Sequence, residues 1–372
     1  MIPAIASRIP LVKRSKAPAL PLDERITHLT GLTVAPAGAG HRDLVARACG
    51  VLNYGALIVS DVGMPGLAAE LCWRQHRVFA DARHLPGDVA VMSLMPLINI
   101  SRLLIRNGDG HTAYDVLTRL YRAAQQRATT VIDGNTIDLS ALIRTEADHR
   151  RICQELWVTL LVDGARALAR IGRWTEAADA MTAHRGIGNR LLDGRQIMIM
   201  SLLERGLDQQ ARDAIDSAVP TEPWENAIAA LLRICCRSEG APAPELDRAV
   251  QEALTLLTPP ESSTAAFQTR VGLAALDLTC GQADACLASL CDALADAARL
   301  DAYAAREVLA HHTARSHLTS EQRQRLRAAV TASGLGVGGL PQAHMQVVSE
   351  GVDKAEVALR ELLEPPLADG LG

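Results

Sequence analysis

Aromatic residues are scarce in this sequence. They make up 3% of its 372 residues, with two Phe, four Tyr and four Trp. Sheet proteins usually pack aromatic and β-branched residues on pleated faces, and runs of such residues are also scarce here. Alanine, leucine and arginine recur throughout, and these residues favour helices. The composition therefore predicts an all-α protein.

The sequence also lacks a surplus of basic charge and any long uncharged apolar run. The formal net charge is −4, which argues against a broad surface for nucleic acid or for an anionic membrane. No stretch approaches the roughly 18 uncharged apolar residues that cross a bilayer. Arg8, Pro10 and Lys13 interrupt the apolar core that a signal peptide needs. We expect a cytoplasmic protein without a membrane or nucleic-acid partner.

Sequence motifs for catalysis or metal binding are absent as well. The eight cysteines show neither C-x-x-C spacing nor the compact framework of secreted proteins. There is no Gly-x-Ser-x-Gly elbow, Walker loop or H-E-x-x-H motif. His311 and His317 are six residues apart, which places them on different sides of a helix, so we interpret this cluster as a solvated helix end. We predict no catalytic, cofactor-binding or metal-binding residue.

Apolar residues recur at intervals of three and four from His41 onward, with short Gly, Pro or Asp turns between the runs. This pattern predicts pairs of helices that continue to about residue 333. The first six predicted helices span 41–60, 65–82, 88–106, 111–128, 141–171 and 174–183.

The flanking segments differ in composition from these helices. Residues 1–22 carry basic residues and prolines but no acid, which predicts a flexible basic arm. Residues 23–333 form the predicted helical repeat array. A glycine-rich linker at 334–341 then joins the array to a closing helix at 342–364 and a tail at 365–372.

Residues 129–139 depart from the helical pattern. β-branched residues flank the pair Asp133 and Gly134 on both sides, and Asp-Gly favours a two-residue hairpin turn. We predict a small β-hairpin insertion, with an irregular loop as the alternative.

A Gly-x-x-x-x-Ala pattern recurs at the predicted helix junctions. A helix ends readily at a glycine in the left-handed conformation, and a small residue one turn into the next helix lets the two helices pack closely. Each of these glycines follows an apolar helical stretch. The pattern occurs as Gly63/Ala68, Gly108/Ala113, Gly172/Ala177 and Gly206/Ala211, with Gly281/Cys286 as a variant.

The most complete junction lies in residues 165–178. It combines Gly172 with Trp174 and Ala177, and the interval from Gly172 to Gly206 is 34 residues. This arrangement resembles the tetratricopeptide repeat (TPR), which has this period. The resemblance implies a TPR-like superhelix of antiparallel helix hairpins, an α-α solenoid, in which the other repeats are degenerate.

Residues 61–75 are also similar to TPR proteins of actinobacteria. Such proteins often serve as regulators or accessory factors beside biosynthetic genes. Many of them carry a DNA-binding head, which this sequence lacks, so the resemblance implies an accessory or regulatory role and not direct DNA binding.

A curved helical array presents one face to a partner. We therefore expect a non-catalytic scaffold or accessory factor that binds a protein or peptide segment, serving a specialised-metabolism pathway. One alternative is an enzyme or small-molecule binder with a site between helices or against residues 129–139. Another is a transcriptional regulator that acts through a partner protein. Tryptophan and arginine suit a peptide-binding face because they offer large anchors and planar donor groups. The candidates are Trp73, Arg74, Arg102, Arg166, Arg195, Trp224 and Arg233.

Overall fold

The computed structural model describes residues 4–82, 85, 87–142, 145–237, 240–279 and 284–364. The protein is mostly helical, at 73%. Among the described residues there is one sheet, of two strands. The all-α prediction is confirmed.

The helices of residues 22–164 are labelled in chain order as α1 (Leu22–Thr33), α2 (His41–Asp61), α3 (Pro65–Asp81), α4 (Gly87–Met92), α5 (Met95–Arg106), α6 (Gly110–Gln126) and α7 (Glu146–Thr159). Those that follow are α8 (Ala165–Arg170), α9 (Trp174–Ala183), α10 (Asp193–Glu204), α11 (Asp208–Asp216), α12 (Pro223–Cys235), α13 (Ala243–Leu257), α14 (Ala265–Leu278), α15 (Asp284–Ala298), α16 (Ala302–Ala310), α17 (His312–His317), α18 (Ser320–Ser333) and α19 (Gln342–Leu363).

The predicted helices agree with these bounds in most places. The predicted helix at 174–183 coincides with α9, and the closing helix at 342–364 corresponds to α19. The predicted helix at 88–106 is divided into α4 and α5. The one at 141–171 is divided into α7, a π-helical turn at Leu160–Gly164, and α8. The tail at 365–372 lies outside the described residues.

The helices form two compact units, and neither unit is one continuous stretch of chain. Unit 1 contains the described residues of 1–21 together with 165–333, and unit 2 contains 22–164 together with the described residues that follow 333. This differs from the predicted single array at 23–333. Periodicity assigns residues to helices, but it does not assign helices to cores.

The junction glycines adopt the backbone conformation that the sequence pattern requires. The φ angles of Gly63, Gly108, Gly172 and Gly206 are 97°, 84°, 77° and 72°. All four lie in the left-handed region, which ends the preceding helix and reverses the chain. The prediction is confirmed at these four positions, whereas Gly281 lies outside the described residues.

The predicted β-hairpin is also present. Strand β1 (Thr129–Ile132) pairs antiparallel with β2 (Asn135–Asp138). Asp133 and Gly134 form the two-residue turn, with φ angles of 48° and 76°. Two positive φ angles in succession match the right-handed twist of the flanking strands.

Unit 2 is completed by the C-terminal helix. Helix α19 packs against α2, α1 and α3. Small residues allow the close approach, because a Cβ atom added at Gly351 would lie 2.9 Å from Leu29 and one added at Gly55 would lie 3.0 Å from Val352. The closing helix therefore covers helices from the beginning of the chain.

The glycine-rich linker is held by main-chain hydrogen bonds. The N–H of Gly336 donates to the carbonyl of Asp61 at 2.8 Å, and that of Gly338 donates to the carbonyl of Val62 at 2.6 Å. The predicted linker at 334–341 is therefore fixed to the end of α2.

A buried charge cluster lies at the same end of α2. The Asp61 carboxylate accepts hydrogen bonds from Arg25 at 2.6 Å and from Arg106 at 2.8 Å. The side chains of Arg25 and Asp61 are each only 2% exposed. Since a buried charge is costly without a partner, this cluster ties α1, α2 and α5 together.

Two helical stretches of unit 2 are long and apolar enough to cross a membrane by length and composition. They are His41–Asp61 and Gly87–Arg106, with mean hydropathies of 1.2 and 1.6 over 18-residue windows that allow up to two charged residues. Half of each window is buried within the structure. Buried core helices pass this test as membrane helices do, so these stretches are weak evidence for a membrane.

Candidate peptide-binding surface

Residues 4–21, here called the N-terminal segment, pack against the helices of unit 1. The segment begins with a 3-10 turn at Ala4–Ser7 that contacts α14. Ile5, Ile9 and Leu11 are buried, with exposures of 0%, 1% and 2%. This differs from the flexible arm predicted for residues 1–22. The sequence showed the charges and prolines of the segment, but its apolar side chains determine where it lies.

Two arginines of the segment pair with acidic side chains of unit 1. The Nε atom of Arg8 lies 2.9 Å from Asp277 in α14, and the guanidinium of Arg14 is hydrogen-bonded to Asp193 at the start of α10. Asp193 is more buried than Arg14, at 7% against 37% side-chain exposure. In both pairs, the helical surface supplies the acidic side chain and the N-terminal segment supplies the basic one.

Asp277 has a second partner, which lies between α16 and α17. His311 lies with its Nε2 2.7 Å from Asp277, and its Nδ1 accepts the N–H of Ala314 at 3.1 Å. Because Nδ1 accepts, Nε2 carries the proton and donates to the carboxylate. Burial raises the pKa of Asp277, but the hydrogen bonds from His311 and Arg8 outweigh it and the pKa is lowered. His312 and His317 are exposed as predicted, whereas His311 is not a solvated helix end.

Gln196 holds the main chain of the segment. Its Oε1 accepts the N–H of Leu11 at 2.7 Å, and its Nε2 donates to the carbonyl of Leu11 at 2.7 Å. The same amide nitrogen donates to the carbonyl of Leu191, also at 2.7 Å. Gln196 is fully buried. It therefore satisfies main-chain groups of the segment that water does not reach.

The far end of the segment lies at the start of α16. The N–H of Lys16 donates to the carbonyl of Ser263 at 2.8 Å, and its ammonium lies 4.0 Å above the centre of the Tyr303 ring. The N–H of Ala19 donates to Asp301 at 3.0 Å, and Asp301 also accepts the N–H of Tyr303 at 2.9 Å. Main-chain hydrogen bonds thus hold the segment at its middle, Leu11, and at its far end, Lys16 and Ala19.

We call the supporting surface the docking face. It consists of Arg166 in α8, Asp193 and Gln196 in α10, Ser263, Asp277 in α14, and Asp301 and Tyr303 around the start of α16.

The first turn of α10 is fixed tightly behind this face. A Cβ atom added at Gly194 would lie 2.2 Å from the carbonyl oxygen of Gly186, so only glycine fits there. Arg195 donates to the carbonyls of Ala214 at 2.8 Å and Gly188 at 2.9 Å. Burial lowers the pKa of Arg195. These contacts hold Asp193 and Gln196 in position.

The predicted partner-binding residues of unit 1 have different roles. Arg166 belongs to the docking face, where it lies 3.3 Å from the carbonyl of Pro10 and 3.4 Å from Asp193. Arg195 supports the face from behind. Trp224 is only 3% exposed, and Arg233 pairs with Asp216 at 2.9 Å. Of these four, Arg166 alone contacts the segment in the hydrogen bonds described here.

The other predicted residues lie in unit 2. Trp73 packs half-buried against the core of that unit, with its ring 5.8 Å from the ring of His76. Arg74 pairs with Asp353 and Glu356 of α19, and Arg102 pairs with Asp163. Each arginine thus joins helices within its unit. The seven predicted residues are divided between the two units.

Asp193, Gln196, Asp277 and Tyr303 were not among the residues predicted from the sequence to bind a partner. Asp193 and Gln196 lie in the run 190–196, which interrupts the repeat rhythm. That interruption was the one feature of the sequence that could have drawn attention to Asp193 and Gln196. A buried glutamine or aspartate cannot otherwise be distinguished from a solvated one in a single sequence.

An open cleft of about 330 Å³ lies between helices of unit 2. The Nε atom of Arg42 lies 3.0 Å from the Asp88 carboxylate at its margin. The lining residues are Arg42, Asp88, Val91, Arg151, Gln154, Glu155 and Val158. Among the residues that the structure describes, no group of three or more His, Cys, Asp or Glu side chains could hold a metal ion.

No family model, curated protein or solved structure matches this chain.

Proposed function

We propose that this protein is a non-catalytic, cytoplasmic scaffold or accessory factor, and that its docking face binds a peptide segment of a partner protein. The observation that supports this proposal is the seating of the chain's own N-terminal segment. Gln196 and Asp301 bind the main chain of the segment, while Asp193 and Asp277 bind its arginines. Proteins often recognise an extended peptide by hydrogen bonds to its main chain, which give affinity, and by contacts to its side chains, which give specificity.

We further propose that unit 1 is a TPR-like array. Helices α8, α10 and α14 carry much of the docking face, and each is followed by a helix that packs against it, namely α9, α11 and α15. In such arrays the first helix of each pair faces a common surface, which is suited to an extended partner. The left-handed glycines Gly172 and Gly206 between successive helices support this arrangement.

The N-terminal segment also bears on the alternative of a transcriptional regulator. In the sequence, the basic residues of 1–22 are the direct support for that alternative. In the structure Arg8 and Arg14 pair with acids, and Lys16 lies above an aromatic ring. These contacts favour a role in protein binding over a role in contacting phosphates.

The proposal is tested by purification of the tagged full-length protein from its native lysate. The wild-type protein is compared with a docking-face variant, Tyr303→Ala with Glu261→Arg, and with the matched surface variant Arg119→Glu. Glu261 lies 3.9 Å from Lys13 at the margin of the face, whereas Arg119 is an exposed residue of α6.

We expect a specific partner that the wild type and Arg119→Glu both retain and that the docking-face variant loses. The docking-face variant must keep the helical circular dichroism of the wild type for the comparison to count. A protein that stays without a partner while it converts a small molecule would refute the proposal.

A further inference from the structure

The N-terminal segment, which occupies the docking face, combines basic residues with apolar residues and proline. Resting on the function proposed above, we propose that the partner's peptide has the same chemistry and that the segment competes with it from within the chain. The peptide carries no acid, has an apolar core containing proline, and has a basic side chain on each side of that core. Residues 8–16 of this chain, Arg-Ile-Pro-Leu-Val-Lys-Arg-Ser-Lys, are an example.

The charges of the docking face require a basic peptide. Asp193 and Asp277 face the segment, and their side chains are 7% and 18% exposed. An acidic peptide residue next to either would place two like charges together in a poorly solvated site. The spacing of the two acids matches arginines six residues apart, as Arg8 and Arg14 are.

The burial of the segment requires an apolar peptide. Ile5, Ile9 and Leu11 are at most 2% exposed, so their departure would uncover the apolar surface that they cover. A hydrophilic basic peptide could form the ion pairs of Arg8 and Arg14, but it could not cover the apolar surface. The docking face therefore selects both features together.

Asp193, Asp277 and the side-chain nitrogen of Gln196 keep a hydrogen-bond or ionic partner when the segment leaves the docking face. Without the segment, Asp193 still pairs with Arg166, 3.4 Å away, and Asp277 still pairs with His311, 2.7 Å away. Gln196 keeps the carbonyl of Leu191. Each of these anchors thus has a second partner within unit 1. Such redundancy is expected of a surface that exchanges one peptide for another, and a permanent core contact does not need it.

Competition within the chain reduces the apparent affinity for a peptide added in solution. The apparent dissociation constant equals the intrinsic one divided by the fraction of molecules whose face is free. A tethered segment has a high effective concentration, so this fraction is small in the wild type. A substitution that weakens the binding of the chain's own segment to the docking face should therefore strengthen the binding of the added peptide.

The test uses the full-length chain and a fluorescent synthetic peptide with the sequence of residues 4–21. Binding is measured by fluorescence anisotropy for the wild type and for the variant Arg8→Glu with Arg14→Glu. We expect the variant to bind the peptide at least about tenfold more tightly than the wild type. Lys354→Glu is the matched control, because Lys354 is exposed on α19 of unit 2, and it should bind like the wild type.

A peptide with Glu in place of both arginines should bind none of these proteins. Thermal unfolding provides a second measurement in case the variant is unstable alone. The natural peptide should then raise the melting temperature of the variant by several degrees, and the Glu-substituted peptide should not. Equal peptide affinity of wild type and variant, or a melting temperature that the peptide leaves unchanged, overturns the inference.

Two further outcomes separate this inference from the proposed function. If the peptide fails to bind while a partner from the lysate still depends on Tyr303 and Glu261, the inference falls and the proposed function stands. If differently labelled chains form mixed dimers that depend on Arg8 and Arg14, the face is filled by a second copy, and the inference of a foreign peptide is overturned.

Discussion

The side-chain amide of Gln196 forms hydrogen bonds with both the N–H and the carbonyl of Leu11, a residue 185 positions away in the sequence. Both distances are 2.7 Å. The amide thus pairs with the N–H and the carbonyl of Leu11 as the main chain of a neighbouring β-strand would. Gln196 therefore fixes the register of the N-terminal segment through the main chain of Leu11.

We expect Gln196→Leu to lower the free energy of unfolding by about 2–4 kcal/mol, because buried main-chain groups of Leu11 and Leu191 lose their partner. Urea denaturation of the full-length protein measures this change. Gln209→Leu is the matched control, since Gln209 is exposed on α11, and its effect should stay within about 0.5 kcal/mol. Equal effects at the two positions would show that the bonds to Leu11 contribute nothing.

Glu225 should make stability depend on pH. Its side chain is fully buried and accepts hydrogen bonds from Arg190 at 2.7 Å and from the N–H groups of Leu191 and Thr221 at 3.1 Å. Burial raises the pKa of Glu225, but these hydrogen bonds outweigh it and the pKa is lowered. The stabilisation is therefore complete above the unfolded-state pKa of about 4.3 and is lost as the pH falls through the folded-state pKa.

We accordingly expect Glu225→Gln to cost about 2 kcal/mol at pH 7, and the difference from the wild type to shrink below about pH 4. Urea titrations across this pH range measure it. Glu176→Gln is the control, because Glu176 is exposed and pairs with Arg173 on the surface. A difference that stays constant with pH would contradict the assignment.

Gly172 should tolerate substitution according to backbone conformation alone. Gly172 has a φ of 77°, and no atom lies within 4 Å of an added Cβ. Gly172→Ala should cost about 1–2 kcal/mol, and Gly172→Asn less, because asparagine enters this region more readily. Gly66→Ala, at an open helical position without a positive φ, should be neutral or stabilising. The same cost for alanine at both positions would refute this reading.

The buried cluster at the end of α2 should be sensitive to loss of its acid. Asp61→Asn leaves the buried Arg25 without a carboxylate, and we expect a loss of about 3–5 kcal/mol in unfolding free energy. Asp115→Asn, which removes the exposed partner of Arg119, should change little. Guanidinium denaturation compares the two variants. A small effect of Asp61→Asn would mean that Arg25 finds another partner or reaches water.

Local features of the fold could be predicted from the sequence. The bounds of α9, the hairpin at 129–139 and the conformation of Gly172 follow from short patterns, in which a residue and its near neighbours determine the backbone. Such patterns carry their information within a few positions.

The division into units and the docking face could not be predicted in this way. The contact between Leu11 and Gln196 joins distant positions, and no local pattern links them. The segment's prolines and bases are also those of a flexible arm. Only the tertiary structure shows that Asp193 and Asp277 stand opposite Arg14 and Arg8.

The interleaving of the two units has a consequence for synthesis on the ribosome. The core of unit 2 includes α1 and α2 from the start of the chain and α19 near its end. Every helix of unit 1 is therefore translated before unit 2 can close, and the N-terminal segment must wait for α10 and α14. The apolar surfaces of α1, α2 and α3 that α19 covers therefore stay uncovered until the last helix is made, and an exposed apolar surface of this kind favours aggregation.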